Sequence, residues 1–152
     1  MKVLVIDNEP NLRTAIKALL QAFCPEIKTI EEADGVKSGL QKIKAFQPDI
    51  VLLDVEMDDG SGFDLMKQVV NPGFQLIFVT AHNKYAIEAF QFSAIDYLLK
   101  PVDPDALQIS IQKAAVNMRN SNLQQQVQIL LQQLAGIQNH ERKIVLKDIE
   151  NT

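Results

Sequence analysis

The sequence predicts an α/β fold in which five parallel strands form one doubly wound sheet. Apolar runs of three or four residues alternate with longer amphipathic segments, a pattern typical of buried parallel strands joined by crossover helices. Four of these runs lead directly into a polar residue: Asp7, Asp54, Thr80 and Lys100. Ligand sites in such sheets lie at the carboxyl ends of the strands. Two carboxylates, a hydroxyl and an ammonium group are therefore predicted to meet at one edge.

The first half of the chain contains two strand–helix units and a third strand. Val3 to Ile6 form the first strand, and Pro10 stands where the fixed φ of a first helical position is tolerated. Apolar residues then recur at helical spacing until Pro25 stops this helix. A second strand is predicted over 27–30, a second helix over 35–46 and a third strand over 50–53.

The second half supplies three helices and two more strands. Residues 58–62 are predicted to be a flexible loop, and a short third helix follows from Ser61 or Gly62 to about Val70. A breaker at 71–73 precedes the fourth strand, which is followed by a helix over 84–92, the fifth strand and a helix from about Asp103. Five such units with right-handed crossovers favour the flavodoxin-like strand order 2-1-3-4-5, which makes the first and third strands neighbours.

The C-terminal segment has a different pattern, predicting an extended helix. Its core positions alternate with 4-3 spacing: Ile109, Val116, Asn120, Leu123, Val127, Leu130, Leu134 and Ile137. This spacing indicates a coiled coil, and Asn120 at a core position favours a parallel, in-register dimer. The alternative is one amphipathic helix folded back on its own domain, but five units already supply a full set of helices. The helix is predicted to end near Gly136, and 143–147 to form a lone β-strand that opens a second domain.

Composition limits the protein to a few classes. With 152 residues, 47% of them hydrophobic, the chain can bury one ordinary core. A net charge of −4 argues against a nucleic-acid surface on this segment. The single Cys24 excludes an internal disulfide and is predicted to be a buried, inert thiol in a reducing compartment. Neither a signal peptide nor a membrane span is visible, so we expect a cytoplasmic protein without a membrane partner.

The residues at the strand ends suit phosphoryl transfer. Asp7, Asp54 and the backbone near Glu56 would form an oxygen-rich cage of the kind that Mg²⁺ prefers. Asp54 would be the nucleophile, because a carboxylate can accept a phosphoryl group as an acyl phosphate. Lys100 and Thr80 would then neutralise and hydrogen-bond the phosphoryl oxygens. Each residue alone has a structural explanation as a cap or turn, and the joint placement of all four is what points to chemistry.

The sequences around these residues resemble the motifs of bacterial response-regulator receiver domains. The similarity covers about residues 1–120, and its motifs are Ile6-Asp7-Asn8-Glu9-Pro10, Leu53-Asp54-Val55-Glu56-Met57, Val79-Thr80-Ala81 and Leu99-Lys100-Pro101. The stretches 79–90 and 94–101 resemble the LytTR (LytR/AlgR-like) subfamily in particular. In that subfamily a DNA-binding LytTR domain follows the receiver.

The resemblance implies a role for each site residue. Asp54 would accept a phosphoryl group from a sensor histidine kinase, Lys100 would bind the phosphate, and Thr80 and Tyr97 would be the switch residues. Mg²⁺ would be held by Asp7, Asn8, Asp54 and the backbone carbonyl of Glu56. The Lys100-Pro101 peptide is commonly cis in the family. We expect a receiver over 1–120, a helical or coiled-coil linker over 121–140, and the start of a truncated LytTR domain over 141–152.

One residue departs from the family pattern. Receivers usually have two adjacent acidic residues after the first strand, whereas this chain has Asp7 and Asn8. The second residue is normally the direct metal ligand, and an amide offers a carbonyl oxygen without the charge. We therefore expect weaker Mg²⁺ binding, and a degenerate, phosphate-independent dimerisation module remains an alternative.

The leading hypothesis is a phosphorylation-controlled transcription regulator rather than an enzyme. The homodimer would form through the coiled coil and through the face built by the fourth helix, fifth strand and fifth helix. DNA would be contacted only through the missing domain. The enzymatic alternative is an aspartate-nucleophile phosphatase of haloacid-dehalogenase type, but that family has a second Asp where Glu56 stands here, and no cap domain is visible.

Overall fold

The computed structural model describes residues 1–150, with side-chain environments for residues 1–136. Five parallel strands form one sheet, in the order β2-β1-β3-β4-β5. Their bounds are β1 Lys2–Ile6, β2 Thr29–Ala33, β3 Ile50–Leu53, β4 Gln75–Thr80 and β5 Asp96–Leu99. The α/β, flavodoxin-like fold class and the predicted strand order are confirmed.

The strands are apolar throughout because helices cover both faces of the sheet. The helices are α1 Pro10–Phe23, α2 Val36–Phe46, α3 Gly62–Lys67, α4 Ala86–Gln91 and α5 Pro104–Glu150, and a 3₁₀ turn, Asn83–Tyr85, precedes α4. Along β1, Leu4 and Ile6 belong to a core shared with α2, α3 and α4, whereas Val3 and Val5 belong to a core shared with α1 and α5. This alternation follows from the two-residue period of a strand.

Three local predictions are wrong in their details. The second strand lies at Thr29–Ala33 rather than at 27–30, because Lys2 of β1 pairs with Thr29. The third helix ends at Lys67, and Val70 is 85% exposed. Most of the predicted flexible loop, 58–62, belongs to a hairpin in which Glu56–Met57 pairs antiparallel with Gly60–Ser61.

Helix α5 contradicts the prediction for the C-terminal segment. It continues through Gly136 to Glu150, so the predicted helix end and the lone strand over 143–147 are both wrong. One interior glycine costs about 1 kcal/mol, which is too little to stop a long helix. A helix also pairs its backbone groups within itself, whereas a lone strand leaves them without ladder partners.

The chain divides into two units, Met1–Met118 and Arg119–Thr152. This division lies close to the receiver boundary predicted at residue 120, while the assignment of 141–152 to a DNA-binding domain stays a prediction. Among residues 1–150, no helix combines the length and the apolar character needed to cross a bilayer. Cys24 is a buried free thiol, and its burial, with a smaller contribution from Glu26, raises its pKa to about 11. A thiol with so high a pKa is inert.

Candidate functional site

Two carboxylates lie side by side at the carboxyl ends of neighbouring strands. The register of β1 and β3 pairs Ile6 with Leu53, so the next residues, Asp7 and Asp54, leave the sheet at the same level. The amide of Asp54 donates a hydrogen bond to the carbonyl of Ile6 at 2.9 Å. Asp7 is 2% exposed and Asp54 is 4% exposed. Such burial of two like charges is unfavourable unless a cation lies between them.

Lys100 supplies that cation from the end of β5. Its Nζ atom lies 2.9 Å from Oδ2 of Asp7 and 3.1 Å from Oδ2 of Asp54. Its backbone amide donates to the carbonyl of Thr80 at 2.8 Å, and the Lys100-Pro101 peptide is cis, as the resemblance implied. The structure thus brings together the side chains that the sequence placed at these three strand ends.

The electrostatics of this cluster favour a reactive carboxylate. Burial raises the pKa of Asp54, the charge of Asp7 raises it further, and the contact with Lys100 opposes both effects. Burial alone would lower the pKa of Lys100, but its contacts with Asp7 and Asp54 outweigh this effect and raise it. The lysine is therefore held as an ammonium ion beside a carboxylate that is poorly solvated.

Thr80 is the last residue of β4, and Tyr97 lies in the neighbouring strand β5. Thr80 is fully buried, and its Oγ1 atom accepts a hydrogen bond from the amide of His82 at 3.4 Å. Tyr97 is half-buried, and its hydroxyl donates to the carbonyl of His82. The loop after β4 therefore contacts both residues that the sequence predicted as switch residues.

Glu56 makes a set of contacts that the sequence did not predict. The Tyr85 hydroxyl donates to its Oε1 atom at 2.6 Å, and Nε2 of His82 lies 3.3 Å from its Oε2 atom. The hydrogen bond from Tyr85, followed by the charges of His82 and Lys84, lowers the pKa of Glu56. His82 and Tyr85 lie in a loop and a 3₁₀ turn, and the apolar pattern of the strands does not predict the contacts of such residues. Their closeness in sequence to Thr80 was the one available signal.

A glycine lets the hairpin approach Asp54 closely. A Cβ atom on Gly62 would lie 2.4 Å from the backbone carbonyl oxygen of Asp54 and 3.0 Å from Cγ of Leu53. The amide of Gly62 also donates to the carbonyl of Val55 at 2.8 Å. This close approach turns the chain sharply after Asp54 and brings Glu56 and Asp58 to the cleft.

An open cleft of about 270 Å³ lies above the cluster. Its lining includes Asn8, Asp54, Glu56, Asp58, Thr80 and Lys100. The buried Oδ2 atom of Asp7 is paired with the Lys100 ammonium group at 2.9 Å. Within the described residues no group of three or more His, Cys, Asp or Glu is arranged to hold a metal. Two carboxylates, the Asn8 amide and the Glu56 carbonyl still offer the oxygen donors that suit Mg²⁺ with retained waters.

Comparison with known families gives a match over most of the chain. The family model described as the response regulator receiver domain matches residues 3–112. Among curated proteins, the sensory transduction protein LytT of Bacillus cereus is 38% identical over 116 residues. That match covers 74% of this chain and 46% of LytT, so the chain spans about half the length of this relative.

Solved structures show the same fold. The signal receiver domain of a LuxO-type repressor protein from Vibrio parahaemolyticus has a TM-score of 0.73 at 24% identity and covers 80% of this chain and 95% of its own. The response regulator TrrA of Thermotoga maritima, solved in complex with Mg²⁺-BeF, has a TM-score of 0.66 at 29% identity. It covers 74% of this chain and 97% of its own.

Proposed function

The chain belongs to the response regulator receiver domain family, and we propose that it accepts a phosphoryl group on Asp54 to switch an attached output domain. It is the receiver of a two-component system, homologous to LytT- and LytR-type regulators. The observation that carries the proposal is the buried pair of Asp7 and Asp54, bridged by Lys100 beneath an open cleft.

The proposed step is a displacement at phosphorus by the Asp54 carboxylate. One carboxylate oxygen forms a P–O bond while the P–N bond to the histidine of a sensor kinase breaks, and the imidazole leaves with that electron pair and takes up a proton from solvent. Lys100 and the Thr80 hydroxyl then neutralise and hydrogen-bond the phosphoryl oxygens. Later attack by water on phosphorus would return Asp54 and inorganic phosphate, so the receiver would assist its own transfer and hydrolysis.

Asp7, Asp54, the Asn8 amide and the backbone carbonyl of Glu56 would hold Mg²⁺. When bound, the cation would neutralise charge that develops on the phosphoryl oxygens. The relative TrrA was solved with Mg²⁺-BeF, and we propose that the same group binds at Asp54 here. The oxygen-bearing side chains that line the cleft, those of Asn8, Asp54, Glu56 and Asp58, support this assignment.

The switch would act through Thr80 and Tyr97. A phosphoryl group on Asp54 would draw the Thr80 hydroxyl inward, and Tyr97 would move into the space that this opens. The Tyr97 hydroxyl would then leave the His82 carbonyl that it contacts now. The exposed residues Ile87 and Phe90 of α4 and Leu99 of β5 would become part of a two-fold dimer with α5.

The remaining parts of the regulator are proposed from the subfamily resemblance. A sensor histidine kinase would be the phosphodonor, and a LytTR domain beginning near 141 would bind DNA to control transcription. The family match does not favour the phosphatase alternative, and the Glu56 side chain is engaged by Tyr85 and His82 rather than directed at a substrate. The phosphate-independent module would differ from a working receiver in failing to bind beryllofluoride with Mg²⁺.

The test is phosphorylation by a small phosphodonor. Incubation of the chain with acetyl phosphate and Mg²⁺ should add one phosphoryl group, measured by intact mass, and Asp54→Asn should abolish the addition. Asp105→Asn, an exposed change in the first turn of α5, is the matched control and should leave the addition intact. Phosphorylation that persists in Asp54→Asn would overturn the assignment of the acceptor.

A further inference from the structure

One contact at the mouth of the cleft has no part in the proposed function. The Nδ2 atom of Asn8 donates a hydrogen bond to Oδ1 of Asp58 at 3.3 Å. The contact joins the loop after β1 to the hairpin after β3, across 50 residues of sequence. Both side chains line the same cleft as Asp54 and Lys100.

We propose that Asp58 is a positioning residue for magnesium, which compensates for the missing carboxylate at position 8. It would do so by orienting the Asn8 amide and by adding a negative charge beside the cation. This inference rests on the proposed function, because it concerns the same metal site.

The orientation argument follows from the chemistry of an amide. Asn carries a carbonyl oxygen that can bind a cation and an NH₂ group that cannot. When the NH₂ group donates to the Asp58 carboxylate, the carbonyl oxygen is presented on the opposite side of the amide. Carboxylates that hold a metal ligand through its N–H group are a common outer shell of metal sites, and they fix the orientation of the ligand. Asp58 would act on Asn8 in this way.

The charge argument concerns the balance of the cleft. Asp7 and Asp54 both contact Lys100, whose ammonium group cancels one of their two negative charges. A neutral Asn8 adds no charge, so an Asp58 carboxylate in contact with it raises the negative potential at the cleft mouth. The effect is moderate, because Asp58 is exposed and solvent screens its charge.

The hairpin holds Asp58 in place through its neighbour. The Asp59 carboxylate accepts hydrogen bonds from the amides of Val36 at 2.7 Å and Lys37 at 3.1 Å, the first two residues of α2. Asp58 is therefore carried on a turn that is fixed to a helix, and Gly60, with φ 144°, closes that turn. The position of Asp58 over the cleft follows from this anchoring.

The test is a cycle of Mg²⁺ titrations by calorimetry on the whole 152-residue chain. Asp58→Asn should weaken Mg²⁺ affinity roughly five- to tenfold, the low end for an outer-shell carboxylate because the residue is exposed. Asp105→Asn removes the same charge away from the cleft and should change affinity less than twofold. The double variant Asn8→Asp with Asp58→Asn keeps the net charge and reverses the hydrogen bond, so its affinity should match or exceed that of the unaltered chain.

The outcomes separate this inference from the proposed function. Equal affinities for Asp58→Asn and Asp105→Asn would overturn the contribution of the Asp58 charge while leaving the receiver assignment intact. A double variant that binds as weakly as Asp58→Asn would also overturn it, because position 8 would then not face the metal. Absence of Mg²⁺ binding by the unaltered chain would instead contradict the proposed metal site itself. Unfolding in urea without Mg²⁺, unchanged among the variants, would show that the differences are not losses of fold.

Discussion

At the level of single residues, the site depends on one ammonium group shared by two buried carboxylates. Lys100 lies within 3.1 Å of both Asp7 and Asp54, and its side chain is only 11% exposed. In so poorly solvated a place, the attraction between opposite charges and the repulsion between like charges are both stronger than at the surface. The same lysine therefore stabilises the folded site and would later neutralise the phosphoryl group.

Removing this charge should destabilise the fold in a pH-dependent way. Lys100→Met should lower the free energy of unfolding at pH 7 by about 3 kcal/mol, because two buried carboxylates lose their partner. Lys100 now lowers the pKa of Asp54, so without it that pKa should rise further. Protonation of Asp54 below this raised pKa removes the repulsion, and the loss of stability should shrink as the pH falls through it.

Urea unfolding across pH measures this effect, and Lys113→Met is the matched control. Lys113 pairs with Asp96 at 3.4 Å, but its side chain is 55% exposed. An exposed pair contributes at most about 1 kcal/mol. If both variants lost the same free energy of unfolding at pH 7, Lys100 would have no special role in stabilising the two buried carboxylates.

Gly62 gives a second prediction at this scale. Gly62→Ala would place a Cβ atom 2.4 Å from the Asp54 carbonyl oxygen, so the backbone that carries Asp54 must shift. We expect a loss of about 1–3 kcal/mol of stability, as for other overpacked sites, and at least a tenfold slower phosphorylation by acetyl phosphate, as expected when a reacting group is misplaced. Gly73→Ala is the control, because a Cβ there has no heavy atom within 4 Å. A Gly62→Ala chain that is phosphorylated at the unaltered rate would contradict this account of the turn.

At the level of elements, the hairpin after β3 and helix α2 hold each other in place. The Asp59 carboxylate satisfies two of the backbone amides that a helix leaves unpaired at its N-terminus. Gly35, which precedes α2, has no room for a side chain, since a Cβ there would lie 2.6 Å from the Asp59 Oδ1 atom. The loop that carries Glu56 and Asp58 is thus joined to the N-terminus of α2.

This contact should be visible in the stability of the protein. Asp59→Ala should lower the free energy of unfolding by about 1 kcal/mol at pH 7, the usual cost of losing a helix cap. The hydrogen bonds from Val36 and Lys37 lower the pKa of Asp59. A carboxyl group with a lowered pKa contributes stability above its unfolded pKa of about 4 and loses it as the pH falls through its folded pKa.

The difference in free energy of unfolding between Asp59→Ala and the unaltered chain should therefore shrink as the pH falls below about 4. Urea unfolding at pH 7 and near pH 3 measures it, and Asp105→Ala, in the first turn of α5, serves as the comparison. A difference that stays constant down to pH 3 would mean that Asp59 acts by packing rather than by accepting hydrogen bonds from α2.

At the level of the whole molecule, the features that could be predicted from the sequence are those that depend on local patterns and on the order of connections. Buried strands have apolar sequences, and the order of a doubly wound sheet follows from its connections, so the meeting of Asp7, Asp54 and Lys100 was predictable. The contacts of Glu56 with His82 and Tyr85 join loops whose paths depend on packing elsewhere. The sequence alone does not predict the paths of these loops.

The segment after Gly136 shows that a prediction of local structure can also fail. Residues 143–147 are three consecutive apolar residues between two lysines, a run too short to separate a strand from a helix. The structure resolves this ambiguity as helix, because α5 extends to Glu150. Short apolar runs with neighbours in a sheet were predicted well, and the run without such neighbours was not.

The last prediction concerns the coiled coil of α5. Leu123, Val127, Leu130 and Leu134 follow the predicted core spacing, and each is between 44% and 59% exposed in the single chain. In a parallel dimer these apolar side chains would be buried against the partner helix, and this burial would stabilise the dimer relative to the single helix. Leu123→Lys with Leu130→Lys should therefore convert a dimer into a monomer in sedimentation velocity.

The matched control places the same two charges on the opposite face of the helix. Gln125→Lys with Gln132→Lys should leave the dimer intact, since these residues lie two positions beyond Leu123 and Leu130, outside the core spacing. Beryllofluoride with Mg²⁺ should change the shape of the dimer more than its mass, because the stalk would hold the two copies together in both states. An unaltered chain that sediments as a monomer with and without beryllofluoride would refute the stalk and favour a helix that functions within one chain.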